Sequence, residues 1–141
     1  MFKTLLLAVD INDSTGAKKC AKAAANMART EGAVLHALNV VPDSGMAIVG
    51  ASLSADHVNH ALTDAKADLE AWAAKALPSD IDAQLHVCQG TVYDQIIKSA
   101  NDLKADAIFV GAHRPELRDY LIGPNSARVA RHANQSVFVI R

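Results

Sequence analysis

Apolar residues in this chain fall into short dense runs separated by longer stretches with helical spacing. Thr4–Val9 is almost continuously apolar, the pattern of a strand covered on both faces. Asn12, Asp13 and Ser14 follow as turn and cap types, with Ser14 the expected N-cap. From Gly16 to Thr30 the sequence is alanine-rich and amphipathic, and Gly32 stands where a helix needs its left-handed C-cap. Ala33–Val41 reads as a second strand ended by Pro42 and Asp43. Ser44–Ala55 has no firm period and reads as a loop or partial helix entry. Asp56–Leu77 is a long helix with Leu62, Ala65, Leu69 and Trp72/Ala73 inward, closed by Pro78. Ile81–Cys88 alternates as a third strand, with Gln89-Gly90-Thr91 turning into a helix that runs to about Leu103. Val92, Ile96, Ile97 and Ala100 are its expected inward positions. Ala107–Val110 is a fourth strand, Pro124–Asn134 a last helix and Ser136–Ile140 a last strand.

Five strands alternating with four helices predict an α/β fold. The expected form is one doubly wound five-stranded parallel sheet flanked by helices in three α/β/α layers, with right-handed crossovers. A length of 141 residues suits one domain spanning 1–141. No internal repeat or low-complexity segment interrupts it. In such sheets a ligand lies beyond the carboxyl ends of the strands, where strand order reverses. That rule gathers Val9 and Asp10, Val40, and Gly111 at one crevice.

Composition narrows the function classes. Half the residues are hydrophobic and 21% are charged, a globular balance. A net charge of −1 and no dense Lys/Arg run argue against nucleic acid and against an anionic membrane surface. The N-terminal apolar run is too short for a signal peptide or a membrane span, which gives the expectation of a soluble, cytoplasmic protein. Cys20 and Cys88 lie in different elements outside any CxxC pair, and read as reduced packing residues rather than ligands or a disulfide.

The chemistry concentrates between Ala107 and Ser126. An apolar strand ends in Gly111, a polar loop carries His113 and Arg114, and Gly123-Pro124-Asn125-Ser126 opens a helix. Backbone N–H groups and the dipole of that helix favour an anion. Arg114 offers a planar fork of donors, and His113 a donor or proton carrier. Pro124 suits the first helical turn but supplies no N–H. The Gly-Lys-Ser/Thr of a Walker A loop is missing, so efficient nucleoside triphosphate hydrolysis is not implied. Asp10 at the end of the first strand could hydrogen-bond a ribose, orient a metal-bound phosphate, or simply form an Asx turn. His57 and His60 share a helix face without a third ligand and read as surface residues. His36 and His86, on strands, are expected to be satisfied or solvent-facing, and His132 suits the C-terminal end of the last helix. No nucleophile stands beside a recognisable base.

Several stretches carry a family resemblance that spans the chain. The opening KTLLLAVD, the LHALNVV strand, the fourth strand with its Gly111 loop and the closing RVARHANQSVFVIR resemble the universal stress proteins, within the adenine nucleotide α-hydrolase-like group. ATP-binding members carry Gly, two residues, Gly, nine residues, then Gly-Ser or Gly-Thr. Gly111 matches the first glycine and Gly123 the third. Arg114 takes the second position, the interval to Gly123 is eight residues, and Pro124 replaces the usual serine. This shortened GxHRP form is similar to one branch whose members can bind ATP.

The resemblance implies adenine and ribose contacts near Ala8, Asp10 and Val40, with Val110 lining the pocket. It implies phosphate contacts from Gly111, His113, Arg114, Gly123, Asn125 and Ser126, and a bound ATP with Mg2+. A homodimer through Ser136–Ile140 would cover an apolar sheet edge. The implied role is regulatory or stress-responsive, with at most slow ATP hydrolysis or autophosphorylation and no catalytic residue assigned. The alternative is a nucleotide-free dimeric interaction module of the same fold that acts on protein partners, favoured by Arg114 and Pro124. A flavodoxin-like reading of Asp13-Ser14-Thr15-Gly16 fails because Ile11 and Asn12 displace that segment from the strand and one Trp and two Tyr are few to sandwich a flavin. A receiver domain lacks its aspartate after the third strand.

Overall fold

The computed structural model describes residues 1–42, 55–112 and 123–141. Nine elements run in order: β1 (Thr4–Ala8), α1 (Ser14–Glu31), β2 (Val34–Pro42), α2 (Ala55–Ala76), β3 (Gln84–Gly90), α3 (Val92–Asp102), β4 (Ala107–Gly111), α4 (Pro124–His132) and β5 (Ser136–Ile140). The strands form one parallel sheet in the order β3-β2-β1-β4-β5, so the chain winds outward from β1 in both directions. The expected doubly wound α/β architecture is the one observed.

Alternation along each strand divides the core. Leu5, Leu7, Leu35, Ala37 and Phe109 face α1 and α2, where Leu69 is fully buried. Leu6, Leu38, Ile108 and Val110 face the opposite layer, against Ile96, Ala100 and Val129. Helix α1 meets the sheet through Ala17, Cys20, Ala21, Ala24, Ala25 and Ala28, small side chains that let its backbone approach closely. Gly32 closes this helix in the left-handed conformation at φ 65°, its N–H donating to the Ala28 carbonyl. Phe138 of β5 stacks on Phe109 at 4.7 Å and receives Phe2 edge-on at 5.8 Å, which joins the chain start to the last strand.

Several boundaries differ from the sequence reading. Asp13, not Ser14, caps α1: its carboxylate accepts from the Gly16 N–H at 3.1 Å, and Ser14 is already helical. β1 stops at Ala8 and β2 runs from Val34 through Pro42. β3 spans Gln84–Gly90 rather than Ile81–Cys88, because β2 first offers a ladder partner at His36 and last at Pro42. Ile81 and Ala83 still pack against the core ahead of the strand. The ladder ends at Gly90, whose φ of 147° is open to glycine alone. β4 includes Gly111, and α4 stops at His132 because Ala133 is extended. The expected loop over 44–55 lies outside the described residues except at its last position, where α2 begins.

Candidate functional site

A cleft of about 520 Å3 opens at the carboxyl ends of the strands, within the range of small-molecule sites. Strand order explains its place: the helices that follow the adjacent strands β1 and β4 pack on opposite faces of the sheet, which opens a crevice above those two strand ends. Eight of the ten predicted residues line it. Ala8 and Asp10 come from the end of β1, and Val40 from β2. Val110 and Gly111 come from β4, and Gly123, Asn125 and Ser126 from the start of α4. His113 and Arg114 lie outside the described residues.

Local hydrogen bonds fix this rim. The Asp10 carboxylate accepts from the Asn12 N–H at 3.1 Å, while its carbonyl accepts from the Asp13 N–H, also at 3.1 Å. This is an Asx-type turn, and Asp10 also faces the cleft. Below it the Val9 N–H bonds the Leu38 carbonyl at 2.8 Å, continuing the β1–β2 ladder to the cleft floor. Across the cleft the Ser126 hydroxyl donates to the Gly111 carbonyl at 2.6 Å. Its proton is therefore taken, and an incoming anion would find the backbone N–H groups of Asn125 and Ser126 rather than that hydroxyl. No side chain caps α4, and Pro124 occupies its first turn. A Cβ at Gly111 would meet nothing within 4 Å among the described atoms.

Helices α1 and α2 also reach the cleft, which sequence reasoning missed. Ala17 and Cys20 line it from α1, and Ala61, Asp64, Ala65 and Asp68 from α2. The spacing at 61, 64, 65 and 68 is one helix face, but only the packing of α2 reveals where that face points. Asp10, Asp13, Asp64 and Asp68 give the described wall four carboxylates, with no Lys or Arg among its described residues. Burial pushes the Cys20 thiol up to about 12, so it packs as an inert apolar group. Among the described residues no cluster of three or more His, Cys, Asp or Glu could hold a metal ion. None of the helices described is long and apolar enough to cross a membrane.

A doubly wound α/β sheet with an open cleft at its switch point defines the class of protein. The sequence matches the universal stress protein family over residues 1–141, and the chain belongs to that family. It is 30% identical to universal stress protein G of Escherichia coli O157:H7, over 100% of both chains. Among solved structures, universal stress protein UspA from Lactobacillus plantarum aligns with a TM-score of 0.69 and 25% identity, covering 99% of this chain and 97% of that one. The universal stress protein from Archaeoglobus fulgidus in complex with dAMP aligns with a TM-score of 0.65 and 20% identity, covering 99% and 98%.

Proposed function

We propose that this chain binds an adenine nucleotide, ATP with Mg2+, in the cleft at the strand ends, and serves a regulatory or stress-responsive role with slow or no hydrolysis. The observation that carries this reading is the meeting of Asp10, Val40, Gly111 and the α4 N-terminus around one cavity of about 520 Å3. Free backbone N–H groups at the start of α4 suit a phosphate, and the apolar Val40 and Val110 suit a base. The dAMP complex of the Archaeoglobus fulgidus relative, a protein of the same fold, is in keeping with it.

The carboxylates on the described wall repel a bare polyphosphate, so an accompanying Mg2+ offsets charge where Lys and Arg do not. With no cluster of three or more His, Cys, Asp or Glu among the described residues, the phosphates themselves would supply the main Mg2+ ligands. His113 and Arg114 complete the phosphate contacts in this reading. No nucleophile with its base stands among the described cleft residues, which is why turnover is slow. Two free thiols suit a reducing cytoplasm. A homodimer through β5 covers the half-buried Val137, Phe138, Val139 and Ile140 on the edge strand.

Isothermal titration with Mg·ATP tests the reading: binding that weakens on Gly123→Val is expected, and no heat at millimolar ATP removes it. Sedimentation velocity tests the dimer, which a monomer throughout the micromolar range rules out. The second reading, a nucleotide-free interaction module, draws on the engaged Ser126 hydroxyl and on Pro124, which together leave fewer donors for an anion. Mass spectrometry of ligand released from freshly purified protein separates the two.

A further inference from the structure

On the α3/α4 face of the sheet, His36 of β2 and His86 of the edge strand β3 meet Nδ1 to Nε2 at 2.9 Å. Register places Leu38 beside His86 and His36 beside Gln84, so the two rings reach diagonally across the ladder. Their centroids stand 5.1 Å apart with planes at 31°, an end-to-end rather than stacked arrangement. Such a contact holds one proton, donated by one ring and accepted by the other. A metal ion needs about 2 Å to each imidazole nitrogen, and the 2.9 Å between these two leaves it no room. The species this pair takes up is the proton.

Its surroundings disfavour a positive charge. His36 is only 7% exposed. Burial holds both imidazoles below their ordinary value, helped at His36 by His86 and at His86 by the Lys66 ammonium. Lys66 reaches the sheet edge from α2 and donates to the Leu85 carbonyl at 2.6 Å. Helix α3, packed on the same face, carries Tyr93, Asp94, Lys98 and Asp102; Lys98 pairs with Asp102 at 2.7 Å and lies near Cys88. Helix α4 adds the exposed Arg128, Arg131 and His132. β1 and β4 present no titratable group to this layer, where Leu6, Ala8, Ile108 and Val110 pack. No described carboxylate bonds either imidazole, so a fully protonated pair sets two cations end to end beside a third.

We propose that the His36–His86 contact is a proton-operated latch, which holds the edge strand β3 on β2 when neutral and releases it on acidification. The same strands build the cleft: Leu38 and Val40 line it, and they stand beside His86 and Cys88 in register. Acid therefore loosens one cleft wall and lowers ligand affinity. That last consequence rests on the nucleotide reading above, whereas the latch itself does not. Both imidazoles titrate below 6.5 in the closed state. The open state then binds more protons as pH falls below that value, and opening rises about tenfold per pH unit for each extra proton taken up.

Amide hydrogen exchange on the full chain reads the latch directly, as protection factors that divide out intrinsic exchange. Between about pH 7.5 and 5.5, β3 protection should fall about tenfold or more relative to β4. In His36→Leu/His86→Leu the two strands should keep their ratio; His86→Gln, which preserves a neutral partner for His36, should show a reduced drop. An equal drop in the double variant, or none in the wild type, overturns the latch. So does either wild-type imidazole titrating at or above 6.5 by NMR, a measurement that needs no variant. Mg·ATP affinity should fall over the same range in the wild type and not in the double variant. Protein that binds no ATP at pH 7.5 defeats the nucleotide reading, and the exchange data then decide the latch.

Discussion

Ser126 and Gly111 are joined by a 2.6 Å hydrogen bond from hydroxyl to carbonyl, which ties the first turn of α4 to the last residue of β4. The bond lies in the β4–α4 wall of the cleft and fixes where the free N–H groups of α4 point. Ser126 thus acts on an anion mainly through its backbone, with its side chain holding the helix in place.

Removing that hydroxyl separates the two roles. Ser126→Ala should lower stability by about 0.5–1.5 kcal/mol, the usual worth of such a bond, read from urea unfolding midpoints. Mg·ATP affinity should fall as well, because the helix start is no longer fixed. Ser126→Thr keeps the donor and should recover most of both losses. Full affinity in Ser126→Ala would show that the bond does not position the site.

Glycines at the two rims should respond in opposite ways. A Cβ at Gly111 meets no described atom within 4 Å, whereas one at Gly16 would overlap the Asp13 carboxylate that caps α1. Gly111→Ala should leave the unfolding midpoint unchanged and weaken nucleotide binding, since the added methyl enters the cleft. Gly16→Ala should cost about 1 kcal/mol through the lost cap. Calorimetric titration and thermal melts on both variants check the contrast.

Core truncation should be most costly where the aromatic stack crosses the sheet. Phe109 is 1% exposed and stacks on Phe138, so Phe109→Ala should destabilise by about 3–5 kcal/mol. Leu69→Ala, at the fully buried contact of α2, should cost about 2–5 kcal/mol. Truncating Val34, 46% exposed on β2, should change little. Guanidinium unfolding of the three variants gives the ranking.

What the sequence disclosed follows from what burial imposes on it. TLLLA and AIFVG are legible as central strands because both faces are covered, which forces unbroken apolar runs. Topology then leads to the cleft, since a doubly wound sheet has its crevice at the switch point. The start of β3 is illegible because Ile81 and Ala83 are apolar for packing and lack a ladder partner. Capping by Asp13 rather than Ser14 turns on one residue of helix phase, which composition does not set. Asp64 and Asp68 depend on the direction α2 faces, and the His36–His86 contact depends on strand register. Neither quantity is local to the chain.

A carboxylate at the opposite end of the sheet contributes to the acid limit of stability, beside the ion-paired Glu31 and Asp80. Asp106 precedes β4 and accepts from the Lys3 and Thr4 N–H groups at 2.7 and 2.9 Å, clamping the start of β1 to the start of β4. Those two backbone donors hold its carboxyl below the ordinary 3.8. A lowered folded value means the unfolded chain binds the proton more readily. The stabilisation is therefore fully present above 3.8 and is lost as pH falls through the folded value. This window opens at 3.8, whereas that of the histidine pair opens at 6.5, so a single melting series from neutral pH to about pH 2 meets the two onsets in turn. Asp106→Asn keeps one acceptor without the charge and should flatten the acid limb. Asp106→Ala should destabilise at neutral pH and converge on the wild type in strong acid. Equal melting temperatures for wild type and Asp106→Ala at neutral pH would show that the clamp does not hold the strands.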